Sequence, residues 1–182
     1  MKLPYHLTLI FFLFLLLSCQ NAKNLSAIAY IEASVEAHGM TEFNKKSIDF
    51  QFRNYRYTQR QDSQGLIYTR RKNTTPEVLD LLHSKNGFQR TLANKKVVLA
   101  DSIALVYSES VNSVLYFFRL PYSLKDTGAI KTLMDTEQIK GKSYQKIGVH
   151  FTSENGGVDH QDTFRYWFDE QTKTLDSLAY EY

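Results

Sequence analysis

The apolar positions near the start of the chain follow a helical period. Ile28, Ile31 and Val35 recur at spacings of three and four residues, and Gly39 follows as a stop signal. This pattern predicts an amphipathic helix over residues 25–38 that packs one face against a sheet.

From Ser47 the period becomes two. Ile48, Phe50 and Phe52 alternate with polar residues, as expected for a half-buried strand. Turn-forming segments rich in Gly, Asn and Asp separate the stretches that follow, which indicates an antiparallel meander. Further strands are predicted at residues 66–71, 78–83, 87–91 and 97–100.

A second helix is predicted over residues 102–120, because Val111, Val114, Leu115 and Phe118 form an apolar stripe before Pro121. Alternation then returns, with strands predicted around residues 146–151, 163–169 and 175–182. Together these elements predict an α+β fold in one domain, residues 25–182. We expect a curved antiparallel sheet, an incomplete barrel, that partly encloses one or two helices.

The first 18 residues have a different character. The apolar run at residues 7–17 is eleven residues long, whereas a membrane-spanning helix needs about 20. It therefore indicates a processing signal. Ser18 and Cys19 after this run resemble a bacterial lipobox, which implies cleavage before Cys19, acylation of that cysteine and a tether at residues 19–24. The alternative is an ordinary secretory signal followed by a free thiol.

The predicted lipid anchor indicates where the protein is located and which cysteine chemistry it lacks. Multiple acyl chains give stable membrane attachment, and Gln20 stands where an Asp would mark inner-membrane retention. We therefore expect a lipid-anchored protein of the bacterial cell envelope, at the outer membrane and facing the periplasm. Acylation of Cys19, the only cysteine, excludes internal disulfides and a thiol nucleophile, and this address argues against a nucleic-acid partner.

Several motifs resemble an uncharacterised lipoprotein family common in Bacteroidota, domain of unknown function 6503. They are His38-Gly39, Ser110-Val-Asn-Ser113, Tyr116-Phe117, Leu120-Pro121-Tyr122, Gly156-Gly157, Asp159-His160, Asp162, Tyr166-Trp167 and Ala179-Tyr180. The resemblance implies an architecture similar to LolA and LolB, an incomplete barrel around helices. It implies no catalytic or cofactor-binding residue.

A basic hairpin over residues 53–72 carries six cations and one acid, Asp62, interleaved with tyrosines. Beside a membrane such a surface can contact anionic headgroups or a partner protein. The alternative is a solvated sheet face opposite the core. The cations are Arg53, Arg56, Arg60, Arg70, Arg71 and Lys72.

The loop at residues 153–162 is a weak candidate metal site, because Asp159, His160 and Asp162 offer two carboxylates and an imidazole. Its spacing matches neither an EF-hand nor a zinc-protease helix, and its glycine and Asx content suits a wide turn.

The sequence therefore favours a non-catalytic lipoprotein that binds a lipid or another apolar ligand in the hollow of the sheet, without a cofactor. One alternative is a structural or envelope-interaction protein with a packed core. The less favoured alternative is a metal-dependent enzyme at the Asp159 loop.

Overall fold

The computed structural model describes residues 27–152 and 162–181. Helix α1 covers residues 27–37, and helix α2 covers Asp101–Phe118. The strands of the described chain are β1 (Ile48–Phe52), β2 (Tyr55–Asp62), β3 (Gly65–Lys72), β4 (Val78–His83), β5 (Gly87–Leu92), β6 (Lys95–Val97), β7 (Ala129–Ile139), β8 (Lys142–Phe151), β9 (Thr163–Asp169) and β10 (Leu175–Glu181).

The chain divides into two compact units. Unit 1 is Met1–Gly39 with Leu124–Tyr182, and unit 2 is Met40–Ser123. Unit 2 holds a six-stranded sheet in the order β1-β2-β3-β4-β5-β6, and unit 1 a four-stranded sheet in the order β10-β9-β8-β7. The predicted α+β class and antiparallel pairing are confirmed.

The prediction of a single curved sheet is wrong, because the described strands form two sheets. Neither of these sheets closes into a barrel. The strand meander stops after β6, where α2 and the connection to β7 intervene. That residues 25–182 behave as a single domain stays a prediction.

Tight turns set the register of both sheets. Between β5 and β6, Ala93 and Asn94 have φ of 47° and 63°, which is the geometry of a two-residue hairpin turn. Leu92 therefore pairs directly with Lys95. This turn places β6 two residues earlier than the predicted strand at 97–100, and Val98 is left outside the sheet.

Helix α2 packs on one face of the six-stranded sheet. Val111 and Leu115 are fully buried against Tyr57 and Tyr68, which confirms that part of the predicted stripe. Phe118 stacks on a ring of β1, Phe50, with centroids 4.0 Å apart. Aromatic pairs of this kind add to the energy of simple area burial.

The same sheet face carries a buried row of charge. Asp80 on β4 is 1% exposed, and its neighbours across the ladder are Arg70 on β3 and Arg90 on β5. Nε of Arg70 donates to Asp80 at 2.9 Å, and Nε of Arg90 donates at 2.6 Å. Arg70 also donates to the Ser110 hydroxyl of α2 at 2.6 Å, and Arg90 lies 3.4 Å from the ring centroid of Tyr107. The charge row therefore joins three strands to the helix.

In unit 1, α1 contacts the four-stranded sheet through aromatic and polar groups. Tyr30 meets Phe168 edge to face at 6.1 Å, and the Leu175 N–H donates to Nε2 of His38 at 3.0 Å. Ile147 and Val149 of β8 are buried, which confirms the predicted alternation. Strand β7 has no counterpart among the predicted strands.

We predict that Asp80→Asn lowers the free energy of unfolding by about 3–5 kcal/mol, because it leaves the buried guanidinium of Arg70 and the half-buried one of Arg90 without a counter-charge. The matched control is Asp49→Asn on β1. Asp49 also pairs with an arginine, Arg56, but both side chains are exposed, so this change leaves the free energy almost unaltered. Urea unfolding of a Cys19→Ser chain measures both, and equal losses contradict the prediction.

Acid stability provides a second prediction. The backbone N–H groups of Thr172 and Gln171 donate to Asp169, Lys142 lies 3.2 Å away, and together they lower the Asp169 pKa to about 2. A carboxyl with a depressed folded pKa stabilises fully above its ordinary value near 4, and this contribution is lost as the pH falls through about 2.

We expect Asp169→Asn to melt at a lower temperature than the parent at neutral pH. The difference should shrink between about pH 4 and pH 2, where the parent carboxylate becomes protonated. The control is Asp135→Asn, at an exposed position of β7. A difference that stays constant with pH contradicts the prediction.

Candidate functional site

Unit 1 contains an apolar cleft beside α1, which we call the α1 cleft. Its volume is about 390 Å³, within the usual range of ligand sites, about 300–1,000 Å³. One wall is the helix, and the other is the connection that enters β7. The lining residues are Ile28, Ile31, Glu32, Leu124, Lys125, Thr127, Ala129, Ile130 and Lys131.

Lys131 is the chemically distinctive residue of the α1 cleft. It is only 8% exposed, and on the ladder it pairs with Val149, which is buried. Its ammonium donates to the backbone carbonyl of Asp126. Burial lowers the pKa of Lys131, and the charge of Asp126 partly opposes that effect. The cleft therefore combines an apolar lining with one desolvated cation.

The burial pattern of β7, with a lysine inside and an isoleucine outside, makes this strand hard to predict from the sequence and also places Lys131 in the cleft. Lys131 points to the packed face, whereas its neighbour Ile130 is 41% exposed. A strand that serves only stability has the opposite arrangement, with the apolar residue inside. Alternation therefore suggests no strand here, and sequence reasoning missed Lys131.

The structure separates the six cations of the predicted basic hairpin. Arg70 faces the helix within the charge row and is buried. Arg56 makes two hydrogen bonds of 2.7 Å with Asp49, and Arg71 binds Glu77 at 3.0 Å. These three guanidinium groups already have acidic partners.

Two of the remaining cations lie over aromatic rings. The guanidinium of Arg53 is 5.1 Å from the ring centroid of Phe52, and the ammonium of Lys72 is 5.7 Å from that of Tyr55. Arg60 is exposed on β2. A polar cleft of about 680 Å³ brings Arg56, Arg71 and Lys72 together next to two hairpin turns.

Next to Arg53, unit 2 exposes an aromatic patch, defined by Phe52, Phe117 and Phe118. Each of these rings is 39–45% exposed, and with Phe50, Ser113 and Val114 they line a shallow apolar cleft of about 280 Å³. Exposed apolar surface beside cations is typical of surfaces that meet a membrane or a partner.

The structure describes only some of the remaining predicted site residues. Cys19, Asp159 and His160 lie outside the described residues. Asp162 is half-buried just before β9, and within residues 27–152 and 162–181 there is no group of three metal-ligating side chains.

The buried histidine His83 has a structural position. Its Nδ1 accepts the backbone N–H groups of Lys85 and Asn86 at 3.0 and 3.3 Å. Its Nε2 lies 3.5 Å from the carboxylate of Asp62. The imidazole therefore holds the turn between β4 and β5. His150, on β8, is exposed.

Fold and site together define an α+β protein with two antiparallel sheets, each packed against a helix, and an apolar cleft with one buried lysine. No helix in the described part of the chain is long and apolar enough to cross a membrane. The chain belongs to a family of unknown function, DUF6503, whose profile it matches over residues 6–182. It matches no curated protein and no solved structure.

Proposed function

We propose that this protein is a non-catalytic envelope lipoprotein that binds a lipid or another apolar ligand in the α1 cleft. The observation that carries the proposal is the cleft itself. The cleft has a volume of about 390 Å³ and lies next to the exposed side chains of Ile28 and Ile130. Covering such exposed apolar surface with a hydrocarbon lowers the free energy.

The chemistry of the lining supports binding rather than catalysis. Its described residues include lysines, one glutamate and one threonine, but no histidine, serine or cysteine. Five of the nine lining residues are apolar, namely Ile28, Ile31, Leu124, Ala129 and Ile130. Binding needs only the apolar walls and a few polar groups that orient the ligand.

The location belongs to the same proposal. We place the protein at the periplasmic face of the outer membrane through acylated Cys19, on the strength of the lipobox. The motifs quoted above support an origin in Bacteroidota and a relationship to LolA and LolB.

We expect a soluble Cys19→Ser chain to bind the neutral fluorescent probe N-phenyl-1-naphthylamine. Thr127→Trp places a ring in the α1 cleft and should weaken probe binding by about tenfold, equivalent to about 1.4 kcal/mol. Gln138→Trp is the control, since Gln138 is exposed on β7 and does not line the cleft. If both variants bind the probe as the parent does, the ligand site lies elsewhere.

A second candidate function is attachment to an anionic envelope surface through the aromatic patch. Arg53 lies over Phe52, so a cation and an apolar ring are presented together. Membranes attract this combination, because cations meet anionic headgroups while aromatic rings occupy the interface.

Vesicle flotation tests this second function. The soluble chain should float with phosphatidylglycerol-rich vesicles at low salt, and less at high salt. Arg53→Glu and Phe117→Ser should each reduce the floated fraction severalfold. Leu105→Ser is the control, because Leu105 is exposed on α2 but lies outside the aromatic patch. Equal loss in all three variants excludes the patch as the contact surface.

A further inference from the structure

Lys131 holds a position that packing alone does not explain. The ladder row that contains it continues through Val149 and Phe164, and both are buried. An ammonium group in such a row loses hydration and recovers little of it from apolar neighbours. An exchange of Lys131 with the exposed Ile130 would remove this cost.

The ammonium is also incompletely paired. It has three N–H donors, and the contact that it makes in the described chain is with the Asp126 carbonyl. No described carboxylate lies close enough to form an ion pair with it, although the charge of Asp126 acts on it from a distance. Donor capacity therefore remains on a residue that lines the α1 cleft.

The charges of the α1 cleft define its complement. Lys131 is the buried cation of this lining, and Glu32 also lines the cleft. A head with a single negative charge matches one buried cation, whereas Glu32 would repel the second charge of a dianion. The apolar walls of Ile28, Ile31 and Leu124 suit one hydrocarbon chain.

We infer that the α1 cleft binds a single-chain amphiphile with a monoanionic head, a fatty acid, whose carboxylate Lys131 holds. This inference rests on the proposed function of the cleft and adds the chemical class of the ligand. The ammonium donates to the carboxylate at the buried end, and the chain covers the exposed isoleucines.

The test compares twelve-carbon probes that differ in the head, by calorimetric titration of the Cys19→Ser chain below micelle formation. Dodecanoate should bind about tenfold or more tightly than dodecanol, since a hydrogen bond to a charged group is stronger than one to a neutral group. Dodecyltrimethylammonium should bind most weakly. Tighter binding of dodecyl phosphate than of dodecanoate overturns the assignment of a monoanion.

Lys131→Met should weaken dodecanoate binding by about tenfold and leave dodecanol binding unchanged. Lys140→Met, at an exposed turn residue, is the control and should bind dodecanoate as the parent does. Lys131→Met is expected to melt no lower than the parent, because it removes a desolvated ammonium.

A second variant tests the same point without altering the buried position. Ile28→Glu adds a carboxylate to the exposed wall and should repel dodecanoate but not dodecanol. If dodecanoate and dodecanol bind equally, and neither variant separates them, the headgroup role of Lys131 is wrong while the apolar cleft stands. If no probe binds, the proposed function of the cleft fails as well.

Discussion

The packing of unit 2 depends on one carboxylate, Asp80, which holds two guanidinium groups on the apolar side of a six-stranded sheet. Without that charge, the guanidinium groups of Arg70 and Arg90 would lie beneath α2 with no counter-charge, and the packing would be less stable. With it, Ser110 and Tyr107 complete the contacts from the helix side. The apolar core around α2 therefore forms next to a polar network whose geometry fixes the position of the helix along the strands.

Much of the secondary structure follows from local pattern. The apolar stripe around Val111 and Leu115 predicts α2, and alternation through Ile147 and Val149 predicts β8, because in both cases the buried positions are apolar. Strand β7 breaks that rule at Lys131, and so it was not predicted. The number of sheets was not predicted either, since pairing between distant strands is a tertiary property that local alternation does not encode.

For the candidate site, too, local pattern predicts only the part that does not depend on contacts between distant segments. A count of cations between residues 53 and 72 makes the hairpin look like one basic surface, but cross-strand register decides which side chains share a face. Tyr57 and Arg70 pair on the packed side, whereas Arg56 and Arg71 pair on the other. The α1 cleft is harder still to predict, because its walls come from α1 and the start of β7, about 100 residues apart in the chain. The best indication of such a site is a residue that breaks a local rule without adding stability, as Lys131 does by occupying a buried strand position that is usually apolar.

The position of α1 close to Cys19 in the chain limits how far the α1 cleft can lie from the proposed membrane anchor. Seven residues lie between Cys19 and Ala27, the first described residue of the helix. The eight steps from Cys19 to Ala27 span at most about 3.6 Å each, so this tether is no longer than about 29 Å. With Cys19 acylated as we propose, the wall of the cleft stays within about one bilayer thickness of its own membrane. On the proposed anchor and the proposed function, the α1 cleft exchanges its ligand at that one membrane and does not carry it across the envelope by diffusion.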